Sequence, residues 1–348
     1  MTATAVEVAA ARTPLGIRGV VEKGALYAIL AGVGVWLVAN FVHAPGQSAS
    51  ALVDGINLGA LYALIALGYT LVYGIIELIN FAHGDLFMLG SVFGSYLLVK
   101  WLGFDKPGVG AAFALLLTLA CAMAFCALIN VGAERVAYRR LRRAPKLASL
   151  ITAVGLSFVF QWIGLQWNGS TPRQWPSVVT GGFHLGTVSV DYTTVLVLAV
   201  TAPLLLMLSY VVQRTRQGRA MRATAQDQDA ARLMGIDVDR TIAFTFALGG
   251  AMAGAAGVLY VQSIGTTRYD AGFQLGLIAF TAAVMGGIGN LNGAVLGGLL
   301  IGVIQGLNDG APYGLTQRWS QTVVFTILIL LMVFKPQGLL GKPTTEKV

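Results

Sequence analysis

Charge is scarce in this chain: of 348 residues only 11% are Asp, Glu, Lys or Arg, against 56% hydrophobic. A soluble domain carries about 25% charged residues, so an ordinary water-soluble fold is excluded. Histidines are few as well; His43, His83 and His184 are scattered and make no metal-ligand cluster with cysteine or acid. Only two cysteines occur, Cys121 and Cys126, five apart in one apolar run and on different helix faces, which suggests neither a disulfide nor a metal site. No Gly-x4-Gly-Lys-Ser/Thr phosphate cradle is present, since the only Gly-Lys pair, Gly341-Lys342, is followed by proline. Nor does any hydroxyl nucleophile stand beside a convincing base. The expectation is a chain with no catalytic residues, no metal, no cofactor of its own and no ATPase activity.

What the chain does have is long apolar runs, several reaching the roughly 20 residues that cross a bilayer core as a helix. In hydrocarbon every backbone polar group must be satisfied internally, so repeated runs of this length mean a helical bundle. A membrane barrel would show alternating segments of about ten residues, and these are not found. The fold class predicted is all-α, a polytopic transmembrane helical bundle of about 9–10 segments with broken helices. Candidate spans are residues 25–42, 51–73, 84–103, 108–130, 147–167, 193–213, 241–263, 273–289, 293–308 and 321–334. Glycine is frequent, at 44 residues, which between membrane helices permits close backbone approach. Gly55/Gly59, Gly250/Gly254, Gly293/Gly297 and Gly298/Gly302 all have the small-x3-small spacing, each a weak signal alone.

Residues 1–24 read as a polar cytoplasmic arm carrying Arg12, Arg18 and Lys23, before an extra N-terminal span at 25–42. That arrangement also has the form of a signal peptide cleaved near Ala44; the length of the run and the spans that follow favour a retained helix. Lysine and arginine in short loops set orientation. The links 131–146 and 214–240 hold six each, and both are expected to be cytoplasmic, with both termini inside. The segment 168–192, with Arg173 its only basic residue, falls outside, and Trp162, Trp167 and Trp175 are candidates to mark that interface. Positive cytoplasmic loops account for the net charge of +8 better than a nucleic-acid surface does.

Two places interrupt the apolar pattern without any Lys or Arg. One is 74–85, with Ala82-His83-Gly84-Asp85 as the interruption; the other is Gly286–Gly293. Irregular backbone at membrane depth is tolerated where it lines a cavity or is buried in protein, and interrupted segments point to transporter substrate paths; the alternative is a tight interfacial turn. Polar groups at membrane depth are costly and mark function by default. The candidate path residues are Asn57, Tyr69, Tyr73, Glu77, Asn80, His83, Gly84 and Asp85, with Asn290 and Asn292 facing them from the second interruption. Gly84 is expected to let the backbone turn.

The stretch Gly218–Ile236 is rich in alanine and helix formers from Arg219 to Met234, and Gly235 suits a C-terminal stop. It reads as a short cytoplasmic helix suited to docking in a partner's groove. Leu233, Met234, Ala223, Ala230 and Ala231 supply apolar positions, and Arg222 and Asp229 polar ones.

From Asn57 to Gly84 the sequence NLGALYALIALGYTLVYGIIELINFAHG resembles the opening of LivH-type permeases of the high-affinity branched-chain amino acid ABC importers. Glu134–Arg139, Gly218–Ile236, Phe280–Gly289 and the Gly-Lys-Pro ending are similar to the same family, and the resemblance runs from about Ala51 to the C-terminus. It implies a permease domain over 51–340 in the bacterial inner membrane. It further implies a second, LivM-like permease subunit, two ATP-binding subunits that hold the ATP, a periplasmic amino-acid-binding protein, surrounding lipid, and no nucleic acid. Arg219, Arg222, Ala225, Asp229, Ala230, Gly235 and Ile236 would then couple the chain to the ATPase through the loop 214–240. Glu77 departs from the pattern, standing where that family usually has glycine. Urea or short-chain amide permeases share the His-Gly turn and the coupling stretch and remain an alternative. An ion-coupled secondary transporter is a further alternative, from a different class.

Overall fold

The computed structural model describes residues 31–77, 80–104, 106–142, 144–335 and 337–341. The proposed arm at 1–24, the first part of the span at 25–42, and Lys342 onward lie outside the described residues.

Among the described residues the apolar runs become helices. The helices are α1 (Ala31–His43), α2 (Pro45–Ile76), α3 (Ala82–Ser95, prolonged by a π-helical turn to Trp101), α4 (Val109–Ala133) and α5 (Lys146–Asn168). There follow α6 (Tyr192–Arg214), α7 (Arg216–Gln226), α8 (Gln228–Leu233), α9 (Val238–Ile264), α10 (Ala271–Gly286), α11 (Leu291–Gly310) and α12 (Ser320–Phe334). Eight helical stretches are long and apolar enough to cross a membrane, and α1 and α10 are shorter apolar helices. Nine of the ten predicted runs thus correspond to described helices with shifted boundaries, and residues 31–42 of the first run fall in α1. The largest shift is at α4, which continues helically to Leu141; the 32 residues of α2 make a helix of about 48 Å, well beyond a bilayer core of about 30 Å.

The centre of the bundle is α2, whose spanning window is 83% buried, with α3 and α9 nearly as enclosed. By contrast α5, α6 and α12 turn most of their surface outward. The small-x3-small pairs explain the inner packing. Gly55 and Gly59 of α2 meet Gly302 and Gly306 of α11 backbone to backbone: a Cβ on Gly302 would lie 2.2 Å from the Gly59 Cα, and one on Gly306 2.4 Å from the Gly55 Cα. Gly250 and Gly254 seat α9 on Cys126 and Ala122 of α4, while Gly293 and Gly297 seat α11 on Gly286 and Ala282 of α10. Without an oil-from-water driving force between lipid-immersed helices, such close contact is what holds them.

Both basic links lie at one end of the bundle, because Arg139 and Arg142 of the first are ion-paired with Asp239, in the part of the second that forms the first turn of α9. The opposite end carries a hairpin of β2 (Gly182–Leu185) and β3 (Val188–Asp191), and a two-residue pairing of β1 (Arg173–Gln174) with β4 (Thr266–Thr267). Trp162 is exposed as an interface residue should be, but Trp175 is buried and packs edge-on against Tyr96. Trp175 therefore tethers the hairpin segment to α3 rather than marking the bilayer surface.

Candidate translocation site

The first interruption falls earlier than the sequence suggests. The helix α2 runs through Ile76 and ends on Glu77, which adopts left-handed φ 51°, ψ 28° and donates its N–H to the Tyr73 carbonyl at 2.8 Å. Among the described residues Glu77, Asn80 and Phe81 lie between the two helices, and Ala82, His83, Gly84 and Asp85 form the first turn of α3. The expectation that Gly84 turns the chain is therefore corrected. Gly84 is helical, and its missing side chain lets α3 touch α10: a Cβ there would stand 2.3 Å from the Gly272 carbonyl oxygen and 2.7 Å from the Gly276 Cα.

The candidate path residues do not form a single group. Tyr69, Tyr73 and Asn80 converge on Phe280, Ala283 and Ile288 of the α10 side, around a void of about 10 Å³. That is about the space of one water molecule, so the contact is closed to any larger solute. Behind it, buried His83 meets the Tyr69 ring edge-on at 4.8 Å between centroids, so it supports a lining residue. Asp85 is fully buried but turns to α5, accepting a hydrogen bond from Ser157. Asn57 is not at the break: it donates to Ser263 Oγ at 2.8 Å, about 18 Å back along α2 from Tyr69 by helical rise. Ser263 lines a polar cavity of about 490 Å³ at the hairpin end, together with Asp191 and Gln262. Glu77 is exposed at the basic end.

The second interruption is a tight turn. Gly287 and Gly289 take φ of 104° and 86°, values that favour glycine, and Asn290 caps α11 by accepting from the Gly293 N–H at 3.2 Å. The chain near its C-terminus closes this turn, with Leu339 and Leu340 donating to the carbonyls of Met285 and Gly286 at 2.8 and 3.0 Å. Asn290 and Asn292 therefore do not face Asn80. With Thr70, Gly74, Gln213 and Arg222 they line a separate cavity of about 540 Å³ at the basic end, within the size range of small-molecule sites.

One wall of that cavity is α7, through Met221, Arg222 and Ala225. The single helix expected here is corrected to two, because Asp227 is extended and caps α8, accepting from the N–H groups of Asp229 and Ala230 at 2.9 and 3.0 Å. An N-terminal cap of this kind ends one helix as it starts the next. Arg222 donates to the Val212 carbonyl of α6, Arg219 is exposed, and Asp229 is ion-paired with Arg232 at 3.2 Å. Gly235 closes α8 at φ 80°, and the Ile236 N–H reaches the Ala231 carbonyl at 3.0 Å. Leu233 and Met234 are 90% and 82% exposed, an apolar tip presented outward beside exposed Ala230. Gly218 was not singled out by the sequence, yet a Cβ on it would fall 2.1 Å from the Val212 carbonyl oxygen, so glycine alone lets α7 fold against α6.

A many-helix membrane bundle with a sealed polar constriction, a cavity at each end and a short outward-facing helix pair is the architecture of a transport permease. Comparison with known proteins then gives its family. Residues 51–333 match the family described as branched-chain amino acid transport system / permease component, and the chain belongs to that family. It is 39% identical over 304 residues to the high-affinity branched-chain amino acid transport system permease protein BraD of Pseudomonas aeruginosa, covering 85% of this chain and 97% of the relative. It is 40% identical to the LivH proteins of Salmonella typhimurium, over 303 residues, and Escherichia coli K12, over 305, each alignment covering 85% of this chain and 96% of the relative. No solved structure matches significantly. With its apolar helices, the chain is a multi-pass inner-membrane permease component.

Proposed function

We propose that this permease component passes branched-chain amino acids into the cell through the constriction of Tyr69, Tyr73 and Asn80, driven by ATP bound and hydrolysed on separate subunits. The observation that carries the reading is the shared wall. Thr70 and Gly74, which alternate along α2 with the constriction residues, border the same cavity as Arg222 and Ala225 of the docking helix. Movement of α7 therefore bears directly on the helix that seals the path.

The chemistry suits the cargo. A zwitterion cannot cross hydrocarbon unaided, because unpaired ionic groups carry a large desolvation cost. Neutral hydroxyls and an amide offer it polar contact without the grip of a fixed ion pair, which would stall release. The chain itself does no covalent chemistry in this account and holds no cofactor. Family membership supports a second permease subunit, two ATP-binding subunits and a periplasmic amino-acid-binding protein as the assembly. The basic end, with both arginine-rich links and the exposed Leu233–Met234 tip, then faces the cytoplasm, and the hairpin end faces the binding protein.

The test is uptake by the assembled importer in proteoliposomes containing this chain, using labelled leucine with isoleucine, valine or urea as competitor. Leucine uptake that needs ATP, and that isoleucine and valine suppress while urea does not, is the expected result. Urea competition without leucine uptake would move the assignment to the amide-type permeases.

A further inference from the structure

The turn that follows α4 touches the gate on one side and, on the other, Asp239 at the base of α9, just past the docking stretch. After Ala133 the helix widens into a π-helical turn, Glu134–Tyr138, before a last turn at Arg139–Leu141. Such widenings are uncommon and recur at functional sites. On one side Tyr138, fully buried, rests against Phe246 of α9 at 5.5 Å between centroids and donates its hydroxyl to Asn80 Oδ1 at 2.7 Å. On the other side Glu134, also fully buried, is ion-paired with Arg142. The same guanidinium reaches Asp239 Oδ1 at 2.6 Å, and Arg139 pairs with Asp239 as well. Asp239 stands in the first turn of α9, three residues beyond Ile236, where the docking stretch ends.

Neither contact is explained by packing alone. A buried carboxylate is costly unless paired, and removing its partner is strongly destabilising, so Glu134 holds Arg142 in place, and the same guanidinium ties it to the start of α9. Tyr138 lies one turn beyond Glu134 on the same widened helix, and its hydrogen bond is the polar hold on the Asn80 side chain in the described residues.

We infer that Tyr138 is a positioning residue: through the Glu134–Arg142–Asp239 bridge, it carries displacement of the docking stretch and the base of α9 to Asn80, by a route separate from the cavity wall of α7. The inference rests on the reading that Asn80 belongs to the gate of the path. Coupling of this kind requires evidence beyond adjacency, and a hydroxyl deletion supplies it with little disturbance, since Tyr138→Phe keeps the ring against Phe246.

In the assembled importer, leucine taken up per ATP hydrolysed is to be measured for Tyr138→Phe, Arg142→Lys, Asn80→Ala and the double variant Tyr138→Phe/Asn80→Ala. Tyr138→Phe should lower the ratio about fivefold, the effect of one neutral hydrogen bond, while basal ATP hydrolysis and the amount of assembled complex stay unchanged. Arg142→Lys should lower it similarly, because a lysine point charge cannot bridge two carboxylates as a guanidinium fork does. The double variant should be no worse than Asn80→Ala alone. A normal ratio in Tyr138→Phe with a lowered one in Asn80→Ala overturns the relay and leaves the path reading intact. Losses that multiply in the double variant also overturn it. A normal ratio in Asn80→Ala overturns both readings together.

Discussion

Gly59 on α2 and Gly302 on α11 lie backbone against backbone, so close that a Cβ on Gly302 would stand 2.2 Å from the Cα of Gly59. Neither side of the contact has a flexible side chain to give way, and the helices would have to separate. Overpacking of this kind costs about 1–3 kcal/mol. Gly302→Ala is expected to lower the melting temperature of the detergent-solubilised chain, and Gly302→Leu to prevent stable insertion. An unchanged melting temperature in Gly302→Ala would mean that α2 and α11 are not packed through their glycines.

Glu77 holds a conformation that suits glycine. Left-handed φ disfavours a residue with a Cβ by roughly 1–2 kcal/mol, and α2 ends there. Glu77→Gly should raise stability by about 1 kcal/mol, seen as a higher melting temperature. Glu77→Val, β-branched at the same φ, should lower it. A fall in Glu77→Gly would show that the carboxylate contributes more than the backbone strain costs.

Gly235 sets the direction in which the exposed tip of α8 points. At φ 80° a β-branched residue is a genuine outlier. In Gly235→Val the chain should insert normally, while the ATP-binding subunits copurify less and uptake is lost. Normal substrate-stimulated hydrolysis and uptake would make the stretch a plain linker.

The apolar runs made the bundle legible, because a continuous apolar run of about 20 residues crosses hydrocarbon as a helix that satisfies its own backbone. The breaks were legible as places but not as geometry. Gly84 looked like the turn because glycine permits one, whereas its actual work is close packing on Gly272 and Gly276, a contact across nearly 200 positions that no local pattern shows. The true turn residue, Glu77, carries no turn signal. Asn57 was grouped with the break although helical rise alone places it towards the opposite end of α2. The cap at Asp227 was readable, since Asp before Gln-Asp-Ala-Ala is an N-terminal helix signal, but the alanine-rich run around it read as continuous. The Tyr138–Asn80 hydrogen bond was out of reach, because it joins residues 58 apart in sequence through a π-helical turn that has no sequence signature.

The central claim is that the contact of Asn80, Tyr69 and Tyr73 with Phe280, Ala283 and Ile288 is the closed point of the solute path. Its most direct test is the rate of leucine uptake by the reconstituted importer carrying Asn80→Ala, with assembly and ATP hydrolysis measured on the same preparation. The account predicts that uptake falls severalfold while the complex still assembles and still hydrolyses ATP. Uptake at the unsubstituted rate would contradict it.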